Sequence, residues 1–219
     1  MIATENLTKS FGERHLWRDL DLTVHGGRML ALVGASGTGK TTLLNCLGLL
    51  EPPTRGRIVF EGRDLAASWP GRRRRFRRDH LGYLFQDYAL IDNATVRANL
   101  EVARRADVAE RSAALERVGL GGREKETVHH LSGGEQQRVA LARLMVKNPS
   151  VVLADEPTGA LDEANTSMVM DVLGEMARSG CAVVIATHVT SVTQACDDVF
   201  DVSDQAFRAG RLPRRDRVW

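Results

Sequence analysis

The sequence predicts an α/β fold, with a mostly parallel sheet flanked by helices, an antiparallel β layer beside it and a helical lobe. Three observations carry the prediction. Gly34-Ala35-Ser36-Gly37-Thr38-Gly39-Lys40-Thr41 fits the pattern G-x-x-x-x-G-K-[ST], set between an apolar run, Arg28 to Val33, and a helical stretch, Lys40 to Leu49. Val151 to Ala154 and Ala182 to Ala186 are fully apolar, as strands buried on both faces must be. From Thr95 to Lys147 the apolar spacing becomes helical. The 219 residues read as one domain, in which 1–85 and 150–219 make the β layer and core and 86–149 the helical lobe.

Composition narrows the class. With 43% hydrophobic and 26% charged residues the chain is ordinary for a soluble globular protein, and a net charge of +2 is too mild to imply nucleic-acid binding. No apolar run approaches the roughly 20 residues needed to cross a bilayer, since Leu43 to Leu50 is short and broken by Asn45, Cys46 and Gly48. Met1 to Glu5 has no basic region followed by an apolar segment, so the protein is expected to stay in the cytoplasm. Cys46, Cys181 and Cys196 lack metal spacing and read as buried thiols.

In chain order, Ile2 to Leu7 alternates as a strand, Thr8 to Glu13 reads as a turn, and Leu20 to Val24 alternates again. These form the antiparallel layer. Phe11, at the turn, is a candidate for stacking on an adenine ring or for simple packing. The phosphate-binding loop follows, and its pattern has a mechanism. Its backbone N–H groups curl around phosphate oxygens, Lys40 reaches the β- and γ-phosphates, and the Thr41 hydroxyl ligates Mg²⁺.

Glu51 to Gly56 is a turn, Arg57 to Phe60 a strand, and Glu61-Gly62 a tight reversal. Gly71 to Arg78 is heavily basic, either a solvated helix face or a surface for phosphate or lipid head groups. Leu81 to Phe85 is a strand that delivers Gln86 at its carboxyl end, where ligands of α/β sheets sit.

Helices are expected at Thr95 to Arg105, Arg111 to Val118 and Gly134 to Lys147, with a loop at Gly119 to Gly122. Leu131-Ser132-Gly133-Gly134-Glu135-Gln136-Gln137-Arg138 opens the last helix. It admits two readings: a second anion site made by bare N–H groups and an outward hydroxyl, or an N-cap with Glu135 completing a capping box. Asn148-Pro149 stops the helix.

The strand Val151 to Ala154 ends in Asp155-Glu156-Pro157. The first carboxylate stands where a Mg²⁺-orienting aspartate belongs, and the second could polarise an attacking water. Thr158 to Asp162 turns into a helix from about Asn165 to Ser179. Ala182 to Ala186 presents Thr187-His188 on the same ligand edge. Asp197 to Val202 and Gln205 to Arg211 read as closing strands, and Arg214 to Arg217 as a solvated tail.

Together these motifs resemble the nucleotide-binding subunit of ATP-binding-cassette transporters, in that family's order and spacing, over nearly the whole chain. Leu131 to Arg138 is the most specific, because other phosphate-loop ATPases lack it. Ala154 to Asp162 and Gly82 to Gln86 are similar to the branch serving macrolide export, lipoprotein release, antimicrobial-peptide transport and cell division. Phe85 to Asn93 also resembles bacteriocin-export ATPases. Two positions depart from the pattern. Phe11 stands where many members have tyrosine, which keeps stacking, and Gly159 stands where many have serine, in a loop that meets the partner subunit.

The resemblance implies a phosphate-loop ATPase with ATP and Mg²⁺ as cofactors, working as a homodimer. Each ATP would lie between one chain's phosphate loop and its partner's Ser132, Gly133 and Gly134, with Asp162 nearby. Gly34 and Ser36, Gly37, Thr38, Gly39, Lys40, Thr41 and Thr42 would hold the nucleotide, with Phe11 on the base. Thr41, Gln86 and Asp155 would serve the metal, Glu156 the attacking water, and His188 and Lys40 the γ-phosphate. The partner would be an integral membrane permease, holding the subunit on the inner face of the cell membrane. Cargo would be a peptide, an antibiotic or a lipoprotein-like molecule. Cell-division relatives instead use ATP to signal through a membrane protein. Members that act on nucleic acid carry a coiled-coil insertion, a zinc module or tandem cassettes, and this chain shows none, so no nucleic-acid partner is expected.

Overall fold

The structure is a computed structural model that describes residues 1–159 and 162–208. Two sheets enclose the phosphate-loop helix. The first is antiparallel, in the order β2-β1-β4-β5, from β1 (Ile2–Phe11), β2 (Arg14–Val24), β4 (Arg55–Phe60) and β5 (Arg63–Asp64). The second runs β10-β9-β3-β8-β7-β6, from β3 (Met29–Val33), β6 (Leu81–Leu84), β7 (Val151–Asp155), β8 (Ala182–Ala186), β9 (Asp198–Asp201) and β10 (Ala206–Arg208). Only the β9–β10 pair of this sheet is antiparallel.

Alternation along a strand sends successive side chains to opposite faces, so each central strand feeds two cores. Leu30, Leu32, Leu153, Val184 and Ala186 face the antiparallel sheet and α1 (Lys40–Leu47), where Trp17, Leu43 and Leu44 are fully buried. Ala31, Val152, Val183 and Ile185 face the other layer, which includes α5 (Gly133–Lys147) and α6 (Glu163–Arg178). Burial on both faces is why these strands have no polar alternation.

The helical lobe is α3 (Val96–Glu101), α4 (Val108–Arg117), a 3-10 turn at Val128–His130, and α5. Thr95 caps α3, and Asp107 with Glu110 forms a capping box on α4. The lobe is tied to the core: Arg143 Nη2 donates to Tyr88 O (2.7 Å) and Lys147 Nζ to Arg77 O (2.9 Å).

Several expectations change. Thr8 to Phe11 is strand, because Thr8 pairs with Arg55 on β4 and Lys9, Ser10 and Phe11 pair with Trp17, His15 and Arg14 on β2; only Gly12-Glu13 turns. The helix expected to reach Arg105 ends at Glu101. The basic segment does lie on a helix, α2 (Pro70–Asp79), in agreement with the reading of a helix face. An unexpected short helix, α7 (Thr190–Ala195), follows His188. Ala160-Leu161, the expected strand end at Arg211 and the tail Arg214 to Arg217 lie outside the described residues. The three cysteines are buried and unpaired, and burial pushes each thiol up to about 12. No helix among the described residues is long and apolar enough to cross a membrane.

Candidate active site

Parallel pairing of β3 with β8, β8 with β7 and β7 with β6 brings four carboxyl ends to one edge of the sheet. The residues following those strands are therefore neighbours: the phosphate loop after β3, Gln86 after β6, Glu156 after β7, and His188 after β8.

The loop is held from beneath by β2. Gly39, the N-cap of α1, has φ 95°, and a Cβ there would fall 2.9 Å from both Leu16 Cδ1 and Trp17 Nε1, so only glycine fits. Lys40 lies across the loop it belongs to, its ammonium donating to Gly34 O (2.8 Å) and Ala35 O (3.2 Å). Thr38 Oγ1 closes the turn onto Ala35 O at 2.9 Å. Ser36 and Gly37 are exposed, Thr42 is half-buried in the first turn of α1, and that turn contains no acid to compensate its amides. Such a loop offers an anion both backbone N–H groups and an ammonium.

Thr41 Oγ1 donates to Asp155 Oδ1 at 3.1 Å, joining the loop to the end of β7. Burial pushes the Asp155 carboxyl above its ordinary range and the charge of Glu156 adds to this, while Thr41 and Lys40 oppose it. A carboxylate and a hydroxyl in contact, with a glutamine amide on the same edge, form a hard oxygen set. That set suits Mg²⁺ completed by phosphate oxygens and water better than an all-protein cage. No cluster of three His, Cys, Asp or Glu able to hold a metal occurs among the described residues.

Glu156 adopts φ 46°, the left-handed region in which a side chain with Cβ is strained, and its N–H is anchored to Ala186 O at 2.9 Å. The anchor turns its carboxylate towards β8, where Oε2 lies 2.9 Å from His188 Nδ1. No hydrogen bond forms across this approach, and Glu156 Oε2 is buried without a hydrogen-bond partner. Glu156, His188, Gln86, Gln137 and Gly159 line one cavity of about 310 Å³.

The sequence reading did not assign a role to Gln137. It is buried and its amide donates to Pro157 O, so α5 grips the turn that carries Glu156. The signal was available: a glutamine on the apolar stripe with Leu141 and Leu144, at i, i+4 and i+7. Trp17 was also passed over. Its indole N–H is buried without a partner beside Gly39.

Of the two readings at Ser132, the capping box is the one formed here, on an exposed residue. Ser132 Oγ donates to Glu135 Oε2 at 2.8 Å and accepts the Glu135 N–H, while Ser132 N also donates to Oε2 at 2.8 Å. A local capping box wins because its partner is only three residues away. Arg123 pairs with the same Glu135, and this with the Ser132 bonds holds the carboxyl down at about 2. Gly133 is exposed with open space where a side chain would be, and Gly134 is half-buried.

Asp162 caps α6, accepting from Asn165 N at 2.8 Å, and Asn165 in turn accepts from Arg138 at 2.8 Å. Its carboxylate is thus engaged within the chain. Phe11 is 54% exposed at the end of β1, with Lys9 Nζ 4.8 Å from its ring centre. The same hairpin supplies Leu16 and Trp17 to the phosphate loop.

A family model described as ABC transporter matches residues 17–159. The pyoverdine export ATP-binding/permease protein PvdT of Pseudomonas fluorescens (strain Pf0-1) is 39% identical over 93% of this chain and 33% of its own length. The macrolide export ATP-binding/permease protein MacB of Escherichia coli is 37% identical over 93% of this chain and 33% of its own. The chain therefore spans about a third of the length of the curated relatives it matches. Among solved structures, the dimeric bacterial ABC transporter cassette MJ0796 superposes with a TM-score of 0.83 at 30% identity, covering 92% of this chain and 94% of that one. A dimeric post-hydrolysis state of the same cassette, bound to ADP and Pi, superposes with a TM-score of 0.86 at 30% identity, covering 97% and 100%.

Proposed function

Since the chain belongs to the ABC transporter family, we propose that it binds MgATP, closes as a homodimer over two nucleotides, hydrolyses them, and drives a membrane permease engaged in export. The observation that carries this reading is the contact between Thr41 and Asp155, beside the cavity shared by Glu156, His188 and Gln86. Phosphate-loop, metal-orienting and water-orienting groups thus meet on one sheet edge.

Phosphoryl transfer depends mainly on placement and charge compensation. Lys40 leaves the Gly34 and Ala35 carbonyls to pair with the β- and γ-phosphates, while amides of Ser36 to Lys40 cradle them, with Gly34 and Thr42 completing the loop. Phe11 stacks on the base. Thr41 and Gln86 would ligate Mg²⁺, with Asp155 acting through water, and the ion would neutralise charge developing on the phosphate oxygens. Glu156 orients and polarises the attacking water, and His188 contacts the γ-phosphate.

Each site is completed in trans by the partner's Ser132, Gly133 and Gly134, with Asp162 close to the seam. Ser132 exchanges its bond to Glu135 for the phosphate. The dimeric form and the ADP and Pi of the MJ0796 structures support this assembly.

The permease has a candidate seat. A groove of about 280 Å³ between core and lobe is lined by apolar residues that include Phe85, Ala140 and Leu144 and by the cations Arg77, Arg143 and Lys147. Phe85 directly precedes Gln86, so a helix seated there would act on the strand end that meets the metal. PvdT and MacB, named as ATP-binding/permease proteins for pyoverdine and macrolide export, support a membrane partner and an export role. The chain would then lie against the inner face of the membrane.

The test is to measure ATP binding and hydrolysis by the purified chain with and without Mg²⁺, and its mass during turnover. Mg²⁺-dependent hydrolysis with transient dimers is expected. A chain that shows no Mg²⁺-dependent affinity for ATP, or never dimerises with it, overturns the reading.

A further inference from the structure

The helix α2 is fastened to the molecule by its inner face alone. Phe76 is buried edge-on against Phe60 with ring centres 5.0 Å apart, Arg73 Nε donates to Ser68 O and Arg77 Nη1 to Leu49 O, both at 2.9 Å. At helical spacing this leaves Arg72, Arg74, Arg75 and Arg78 pointing to solvent, and all four are exposed. Arg78 pairs at 2.6 Å with Asp79, which also feels the charge of Arg75, whereas the guanidinium groups of Arg72, Arg74 and Arg75 have no hydrogen-bond partner among the described residues. At the N-terminal end, Trp69 is the N-cap without any side-chain cap bond and is 85% exposed.

This arrangement works against local stability. The first turn of α2 holds cations and no acid, facing the positive end of the helix dipole, and Arg74 and Arg78 repel at i, i+4. An indole left in water forgoes the burial that makes tryptophan favourable elsewhere. A sequence that departs from local optimum in three ways at one face points to a partner that removes all three. That partner must be anionic, to take planar guanidinium groups, and must offer a boundary between polar and apolar media, where an indole is most stable.

We propose that the outer face of α2, with Trp69, seats on the anionic phospholipid surface of a membrane. Guanidinium groups of Arg72, Arg74, Arg75 and Arg78 engage lipid phosphates, and the Trp69 indole enters the head-group layer. Nucleic acid fits less well, because the net charge of +2 provides no broad field and one ten-residue helix spans few duplex phosphates. The position of α2 beside the groove, through Arg77, agrees with the permease docking proposed above; that part of the argument rests on that reading, while the charge and the indole do not.

The test uses the full chain without permease or nucleotide, so its outcome is separate from that of ATP binding. Sedimentation is measured with vesicles of phosphatidylcholine alone and with equal parts of phosphatidylcholine and phosphatidylglycerol, at low and high salt. Binding only to the anionic vesicles, weakened by salt, is expected. The replacement Arg72→Gln/Arg74→Gln/Arg75→Gln should weaken it about a hundredfold, since each surface cation contributes roughly a factor of five. Trp69 fluorescence should shift to the blue on binding, and Trp69→Phe should abolish the shift while the far-ultraviolet dichroism stays unchanged. Equal binding to both vesicles, undiminished binding by the triple variant, or binding to double-stranded DNA or inorganic phosphate with none to anionic vesicles would overturn the proposal.

Discussion

Glu156 Oε2 and His188 Nδ1 lie 2.9 Å apart, although one follows β7 and the other β8. The pairing of Asp155 with Ala186 across the two strands, and the Glu156 N–H bond to Ala186 O, bring them there. The carboxylate thus sits on a left-handed backbone beside an imidazole, with Oε2 buried and without a hydrogen-bond partner.

Replacing that carboxylate isolates its role. Glu156→Gln keeps the shape and the anchor to Ala186, so ATP binding should persist while hydrolysis falls by about 10²- to 10⁴-fold. ATP should then trap a dimer detectable by size-exclusion chromatography. Hydrolysis at the wild-type rate would contradict the assignment.

Asp155 gives a prediction about stability as well as binding. Its carboxyl is raised by burial, so the folded chain binds that proton more tightly than the unfolded chain. The cost to stability is absent below the unfolded pKa, grows as pH rises above it, and is complete once pH has passed the folded value. Asp155→Asn should therefore raise the melting temperature of the nucleotide-free chain at pH 7 and weaken its Mg²⁺-dependent ATP binding. A lower melting temperature would show that the bond from Thr41 outweighs the burial.

The two loop glycines should respond unequally to alanine. At Gly37, φ is 80° with open space around the missing Cβ, so Gly37→Ala should cost about 1–2 kcal/mol from the backbone alone. At Gly39 the same strain is joined by collision with Leu16 and Trp17, so its loss should be distinctly larger. Chemical denaturation of both variants measures the difference.

The capping box at the start of α5 should resist acid. The Glu135 carboxyl is lowered to about 2, so its stabilising contribution is present above the ordinary value and is lost only as pH falls through about 2. Hydrogen exchange at the Ser132 amide should stay slow at pH 3. In Arg123→Ala the protection should be lost at a higher pH, because Arg123 is the largest cause of the shift.

The strand ends were legible because apolar runs such as Val151 to Ala154 stop abruptly at polar residues, and a parallel sheet gathers such stops on one edge. The strand from Thr8 to Phe11 was not, because its polar residues look like a turn and its pairing comes from β2, just across the Gly12-Glu13 turn, and from β4, much further along the chain. Gln137 escaped for a similar reason: its partner is the carbonyl of Pro157.

What the residues determined by themselves is the chemistry on offer: a glycine-rich loop ending in Lys40 and Thr41, acids at a strand end, and two glycines opening a helix. Local spacing suffices for these, since loop, cap and strand are decided within a few residues. Tertiary structure alone decided which groups touch. It set Thr41 on Asp155, turned Glu156 to His188 through a left-handed backbone, and left the arginines of α2 facing outward. Such contacts depend on the order in which strands pair and on which face of each element is buried, and both arise from packing between distant parts of the chain.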